Sequence, residues 1–407
     1  MRKFLAALTA LVVSGAIAYA ANIPLYPSTP VLEPSQTNAN FNNLIQQLNT
    51  SITPQSMAPW STARNILDNG QMQVDQRVAT TAITCGTTTI PKNTGYAADR
   101  WGCNVNVGSG AGSLQVVTTN LPTQPIFNNA LLFYRTSGTL AQPQCVMQEI
   151  PTQKVVPLQG QPVTLSFYAY GLALMLAEQT TLNAYLLTGT GTDQGLQSFT
   201  ASPAITPAWT GIASTQTTAF TLTSSYQRFT ATYQMPAAAK EAAIALCWTP
   251  TTGGTAGATD GFEFTGVQLE QGLTASPFEY RSYNAELLEA EAYSYWIAES
   301  ATSGAQQSAA GNGATTTTCQ LQIPFPVVMR AAPTFYAIGT ALSTATWTLT
   351  HVATATALAT TYLVVLGANT PQGGSLTATV ASGLTTGQTC VLTSANGGSI
   401  IGWSADF

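Results

Sequence analysis

Gly266-Val-Gln-Leu-Glu-Gln-Gly-Leu-Thr-Ala-Ser-Pro-Phe-Glu-Tyr-Arg281 is the stretch on which the reading of the fold turns. With the residues just before it, the stretch alternates. Phe262, Phe264, Gly266 and Gln268 fall on one side, and Glu263, Val267 and Leu269 on the other. A period of two is that of a strand, and apolar residues on part of both faces predict one from the middle of a sandwich. Gly272 and Pro277 end the alternation, so Pro277–Arg281 is expected to cross the end of the domain as an extended strap.

Upstream, short apolar runs predict strands at Ser113–Thr118, Ala130–Tyr134, Val163–Tyr170, Leu182–Thr188, Phe220–Leu222, Tyr226–Tyr233 and Ala243–Trp248. Turn-rich intervals such as Gly108-Ser-Gly-Ala-Gly112 separate them, and the spacing fits a two-sheet jelly-roll over residues 64–284. Downstream, Ala285–Glu299 reads as a connecting helix over residues 285–300, and Ser303–Gly313 as a flexible run. Residues 301–407 alternate again at Cys319–Val327, Thr346–Val352, Thr361–Leu366 and Leu376–Val380, predicting a small C-terminal β-sandwich. Gly373-Gly374 and Gly397-Gly398 are expected at its hairpins. The fold class is therefore all-β: a jelly-roll β-sandwich, then a small β-sandwich, preceded by a helical and extended anchoring segment.

That segment has two parts. Residues 1–21 carry Arg2 and Lys3, an apolar run from Phe4 to Ala18, and Ala18-Tyr-Ala20, the grammar of a secretory signal. Two readings stay open: a cleaved signal, or a retained apolar anchor buried against other copies or a neighbouring protein. In residues 22–63, Pro24, Pro27, Pro30 and Pro34 favour an extended arm. Ser35–Ile52 follows with Phe41, Leu44, Ile45, Leu48 and Ile52 on one helical face, suited to a short oligomerising bundle or to packing on its own domain.

Composition narrows the function. Only 7% of the 407 residues are charged, against roughly 25% in ordinary globular chains. A formal charge of −5 and a pI near 4.8 argue against a nucleic-acid partner, which needs clustered Lys and Arg. The six cysteines (Cys85, Cys103, Cys145, Cys247, Cys319, Cys390) contain no Cys-x-x-Cys pair. They read either as up to three disulfides, with Cys85–Cys103 first, or as six buried apolar residues. The single His351 and the lack of a Gly-x-Ser-x-Gly elbow leave no hydrolytic triad, and His351 reads as a sheet-surface residue. The acids Asp68, Asp75, Asp99, Asp260, Glu263, Glu270 and Glu279 could supply a glycosidase pair. Arg77, Arg100 and Arg281 lie beside several of them, so structural ion pairs are expected and the protein is read as no enzyme. Aromatic faces are what a sugar ring stacks on, and Trp209, Trp347 and Tyr96 are the candidate glycan contacts.

Several motifs occur in order along the chain: Asn65-Ile-Leu-Asp-Asn-Gly-Gln-Met-Gln-Val-Asp-Gln-Arg77, Tyr96-Ala-Ala-Asp-Arg-Trp-Gly102 and Gly266-Val-Gln-Leu-Glu270. Pro277-Phe-Glu-Tyr-Arg-Ser-Tyr283, Phe325-Pro-Val-Val-Met-Arg-Ala-Ala-Pro-Thr334 and Trp403-Ser-Ala-Asp-Phe407 follow. From Arg64 to Phe407 the chain thus resembles a family of tailed-bacteriophage tail-fibre, head-fibre or receptor-binding virion proteins with a jelly-roll like that of carbohydrate-binding modules. The resemblance implies a structural protein on the virion exterior, a homotrimer docked to tail or portal-adaptor proteins through residues 1–60, contacting host-surface polysaccharide. It implies no cofactor beyond a possible structural calcium at the jelly-roll edge, for which Asp68, Asn69 and Glu270 are the candidates. It also implies that Ile66–Gly70 and Val267–Glu270 pair near one sheet edge, as first and last strands. Two other classes fit the same sequence: a secreted carbohydrate-binding or adhesin-like protein, and a capsid-attached head fibre or decoration protein.

Overall fold

The computed structural model describes residues 64–77, 82–85, 96–105, 111–124, 126–138, 141, 143–195, 209–251, 256–298, 307–338, 347–353, 356–365, 369–394 and 400–406. The signal-like segment, the proline arm, the Ser35–Ile52 helix and Gly397-Gly398 lie outside the described residues.

The chain is all-β, and alternation carries it. The first body contains β1 (Ile83–Cys85), β2 (Tyr96–Ala98), β3 (Trp101–Val105), β4 (Gly112–Val117), β5 (Ala130–Arg135) and β6 (Gln144–Ile150). It continues with β7 (Pro162–Gly171), β8 (Thr181–Gly189), β9 (Ile212–Thr221), β10 (Gln227–Gln234), β11 (Glu241–Trp248) and β12 (Gly261–Gln271). Two six-stranded sheets result, β1-β4-β5-β12-β7-β10 and β2-β3-β6-β11-β8-β9. Phe133, Phe167, Leu186, Ile244, Phe262 and Phe264 are among the residues that fill the space between them.

β12 departs from the alternation at one place. It pairs with β7 along its length, but Thr265 faces Tyr168 while Gln268 faces Ser166, so β12 carries one extra residue there. Gly266 sits in this bulge at φ +62°, a left-handed conformation that glycine adopts without steric penalty. The extra residue resets the phase. Val267 and Leu269 therefore enter the same core as Phe262 and Phe264, and the two apolar faces expected from the sequence are one. Beyond the bulge, β5 gives way to the opening segment: Ile66 N–H donates to Leu269 O and Val267 N–H to Gly70 O, both at 2.8 Å. The expected pairing forms, but inside the sheet instead of at its edge.

The strap is held by side chains. The Glu279 carboxylate accepts from the backbone N–H groups of Arg64 (3.1 Å) and Asn65 (2.6 Å). Arg281 donates to the Asn65 carbonyl. Glu270 accepts from the N–H of Ser276 (2.8 Å) and from its hydroxyl (2.6 Å).

After α1 (Thr152–Val155), α2 (Ala173–Glu178) and α3 (Tyr283–Glu291), the second body begins with β13 (Ser294–Ala298), β14 (Gln307–Gly313), β15 (Thr318–Pro324) and β16 (Thr334–Ile338). β17 (Trp347–His351), β18 (Thr356–Val365), β19 (Gly373–Val380), β20 (Thr389–Ser394) and β21 (Ile400–Ser404) complete it. Six of these strands close into a ring, β14-β15-β19-β18-β17-β20, and β13-β21-β16 form a separate sheet. The expected connecting helix stops at Glu291 because Tyr295, Trp296 and Ile297 pair with β21 instead. Gln307–Gly313, expected to be flexible, is β14 and pairs with β15 and β20. Gly373-Gly374 stand at a hairpin as expected, Gly373 pairing with Thr370 across Pro371-Gln372 and opening β19, whereas His351, expected on a sheet surface, is buried on β17 opposite Cys390.

All six cysteines are paired. Cys85–Cys103 joins the two sheets, Cys145–Cys247 joins facing positions on β6 and β11, and Cys319–Cys390 links β15 and β20 on either side of β14.

The two bodies meet over buried charge. Arg77 bonds Asp99 at 2.5 Å and lies 3.9 Å from Asp406; Arg100 bonds Asp406 at 2.6 Å and lies 3.5 Å from Asp68. The Arg100 guanidinium stacks 3.7 Å above the Tyr293 ring, and that of Arg77 lies 4.6 Å from the Trp296 ring and 5.1 Å from Tyr96. Each of these ions carries a desolvation penalty of several kcal/mol, which the opposite charges and hydrogen bonds offset.

Candidate functional site

The residues singled out from the sequence do not form a site. Tyr96 is buried at the junction beside Arg77. Trp347 faces into the barrel, because the pleat of β17 turns Trp347, Leu349 and His351 inward together. Trp209 packs on the outer face of the second sheet against Cys145, Met147 and Cys247, and its indole N–H donates to Gly195 O at 3.2 Å. Trp101, Trp248 and Trp403 are buried as well. None of the six offers a face to a ligand.

The calcium candidates are engaged elsewhere. Asp68 pairs with Lys154 and Arg100. Asn69 donates its amide to Val74 O (2.8 Å) and Asp99 O (3.0 Å) and accepts from Val74 N (3.0 Å). Glu270 is held by Gln268 and Ser276. Among the described residues no group of three or more His, Cys, Asp or Glu is arranged to hold an ion.

A different constellation stands open on the first sheet. β7 points Phe167 and Ala169 into the core, so Tyr168 and Tyr170 project from the opposite face. Register puts Arg228 of β10 and Thr265 of β12 beside Tyr168, and Glu263 beside Tyr170. Tyr226, just ahead of β10, meets Tyr170 edge to face, with centroids 4.7 Å apart. One wall is the turn Ser224–Tyr226, and the other is the loop Asn120–Gln124. Together they enclose a cleft of about 700 Å³ lined by Tyr168, Tyr170, Tyr226, Arg228, Asn120 and Gln124 among others.

The bulge stretch supports this cleft from below. A Cβ on Gly266 would fall 2.7 Å from the Phe127 ring and 3.0 Å from Tyr168, so only glycine lets Phe127 pack there. Phe127 in turn lies 5.1 Å from the Tyr168 ring and 5.3 Å from Phe278 of the strap. Arg228 donates to Ser166 Oγ (3.1 Å) and to the Ser276 carbonyl of the strap.

Glu263 organises the floor. Its carboxylate, 3% exposed, accepts from the Tyr170 hydroxyl at 3.0 Å and the Tyr226 hydroxyl at 2.8 Å. Burial pushes its pKa up to about 6, against the lowering effect of the two phenol hydrogen bonds. Burial, and then the Glu263 charge, hold both phenols well above the ordinary tyrosine range. The Asn120 side chain acts on the Tyr170 phenol in the opposite direction, lowering it. The result is a concave surface with fixed aromatic rings and a few convergent polar groups, the general form of a small-molecule site.

No family model matches the chain, and no curated protein is similar to it. Solved structures with some likeness include the enzymatically active domain of tailspike protein 4 of bacteriophage CBA120, at 15% identity and a TM-score of 0.30. That match covers 51% of this chain but only 21% of the tailspike chain. TmCBM61 in complex with beta-1,4-galactotriose matches at 12% identity and a TM-score of 0.27, covering 52% of this chain and 100% of that one. The CBM22-1-CBM22-2 tandem domain of Paenibacillus barcinonensis Xyn10C matches at 13% and 0.27, covering 80% and 97%.

Proposed function

We propose that the protein is a non-enzymatic glycan-binding protein that engages host-surface polysaccharide in the tyrosine cleft of its first sheet. The observation that carries this reading is the cleft itself, with three tyrosines on one sheet face, two of them locked by a shared carboxylate, and amide, hydroxyl and guanidinium groups around them. Rings fixed before binding lose little entropy when a sugar settles on them, and the polar rim matches its hydroxyls. No bound ion is needed for this mode of recognition. In the setting that the sequence motifs suggest, the protein is a tail fibre or spike on the virion exterior, trimeric, with residues 1–60 toward the tail.

The test is a glycan array probed with the full chain and with Tyr170→Ala and Tyr226→Ala variants. Wild-type binding to at least one oligosaccharide, reduced about tenfold or more in each variant, is the expected result; each loses an aromatic contact and a hydrogen bond, together worth over 1 kcal/mol. Equal binding by wild type and both variants would remove the cleft from the reading.

The three disulfides favour a second setting. Bridges of this kind persist in oxidising compartments and are rare in cytosolic proteins, and with the signal-like start they suit a secreted carbohydrate-binding protein. Intact mass separates the two settings. A chain beginning at Met1 or Arg2 in purified particles supports the fibre, and one beginning at Ala21 in culture fluid supports the secreted protein.

A further inference from the structure

We infer that Glu263 is a specificity-determining positioning residue of this cleft: by taking the protons of both Tyr170 and Tyr226 hydroxyls, it makes the cleft select neutral, hydroxyl-donating glycans over glycans that carry carboxylates. The inference rests on the glycan reading above and goes further, to the chemical class of ligand.

The argument is one of hydrogen-bond polarity. A carboxylate is an acceptor only, and a phenol has one proton. With Tyr170 at 3.0 Å and Tyr226 at 2.8 Å both donating to Glu263, neither ring has a proton left to offer a ligand. With its proton committed to Glu263, the Tyr226 oxygen is left as an acceptor at the cleft floor. A sugar hydroxyl can donate to it. A uronate or sialate carboxylate at the same place would set acceptor against acceptor, within reach of a buried like charge, an arrangement that disfavours binding.

The groups facing Glu263 are Tyr170 from β7 and Tyr226 ahead of β10, which both donate to it, with the apolar Leu132 of β5 opposite it in the sheet. Arg228 lies farther along the face, opposite Tyr168. Its Nη2 is held by Ser166 Oγ and the Ser276 carbonyl, which ties this guanidinium of the cleft wall to the strap. Among the described residues the carboxylate here has no direct arginine partner of the kind that Asp99, Asp406 and Asp260 each have.

Protonating Glu263 reverses the polarity. A carboxylic acid donates one proton, so at least one phenol proton is released toward the cleft. The carboxyl titrates near pH 6, within a range where binding is easily measured.

The experiment uses the full chain on an array of neutral and uronate-bearing oligosaccharides, with wild type, Glu263→Gln and Tyr226→Phe compared at pH 7.5 and pH 5. Thermal melting confirms that each variant is folded. The expected wild-type result is a preference for neutral glycans of about tenfold or more at pH 7.5, one hydrogen bond's worth, that narrows as pH falls through 6. Glu263→Gln, whose amide leaves one phenol proton free, should lose most of the preference and all of its pH dependence. Tyr226→Phe, which keeps the carboxylate and loses the acceptor, should lose neutral binding at both pH values.

Equal wild-type binding of uronate-bearing and neutral glycans would overturn the inference. So would a Glu263→Gln variant with the wild-type preference and pH profile. If Glu263→Gln does not fold, the wild-type pH profile and Tyr226→Phe decide the matter. A wild-type array that stays blank overturns the glycan reading itself. That failure is distinct, because it precedes any difference between variants.

Discussion

The junction between the two β bodies and the cleft on the first sheet are made from the same residue types, tyrosine, arginine and carboxylate, used in opposite senses. At the junction each carboxylate meets a guanidinium, Asp99 with Arg77 and Asp406 with Arg100, and aromatic rings cover the cations. In the cleft the carboxylate meets two phenols and the guanidinium is tied to the strap. Charge that is paired and buried fixes one body on the other. Charge that is buried but answered only by neutral donors sets the polarity of a surface that stays open. Three of the sequence motifs meet at the junction and supply Asp68, Asp99, Arg100 and Asp406, which serve assembly of the fold, not the ligand.

The sharpest way to break this comparison is at the junction. Asp406→Ala removes the carboxylate that Arg100 bonds at 2.6 Å and that lies 3.9 Å from Arg77, so among the ion pairs of the described residues Arg100 keeps only the more distant Asp68 carboxylate and Arg77 only Asp99. Loss of one partner of a buried pair is strongly destabilising, about 3 to 5 kcal/mol, read as a lower denaturant midpoint. Glycan binding by the protein that remains folded should be unchanged, since the cleft contains none of these groups. A loss of stability under about 1 kcal/mol, the range of surface pairs, would show that the junction is less closed than its burial implies.

Gly266→Ala is the next largest effect and bears on the cleft. The positive φ and the Phe127 ring 2.7 Å from the added Cβ predict a cost of about 1 to 3 kcal/mol. Phe127 is also the backing of Tyr168, so glycan affinity should fall with stability. If calorimetry shows the stability loss and titration shows unchanged affinity, Tyr168 is not part of the binding surface.

The strands of the jelly-roll were legible because alternation is a local property. Predicted strands at Val163–Tyr170 and Phe262–Leu269 differ from β7 and β12 by a few residues at their ends. Two things were not local. The bulge at Gly266 changes which face Val267 occupies, and a period of two gives no sign of it except the glycine. The fate of Tyr295-Trp-Ile297 depends on β21, about a hundred residues away, so a short amphipathic run read as helix. The site was missed for a related reason. The aromatic residues that the sequence offers as sugar platforms, Trp209, Trp347 and Tyr96, are large enough to be used as core. The signal that points to the cleft is Phe167-Tyr-Ala-Tyr170, where tyrosines alternate with core residues on a strand, together with an acid, Glu263, on the outward face of its neighbour.

The smallest effect is a pH linkage, and its sign follows from Glu263. The folded protein holds this carboxyl near 6, above its ordinary value of 4.5, so folding favours its protonated form. The stability it contributes is fully present below about pH 4.5 and is lost as pH rises through 6. Asp260, also raised to about 6 from 3.8, acts in the same direction and is unaffected by a change at Glu263. The difference in unfolding free energy between Glu263→Gln and wild type should therefore shift toward the variant between pH 4.5 and pH 7.5, by an amount on the order of 1 kcal/mol. Urea titrations at the two pH values measure it. A difference that stays constant, or moves toward wild type as pH rises, would mean that the carboxylate is better solvated or better paired than two phenols make it. The contrast between the cleft and the junction would then disappear.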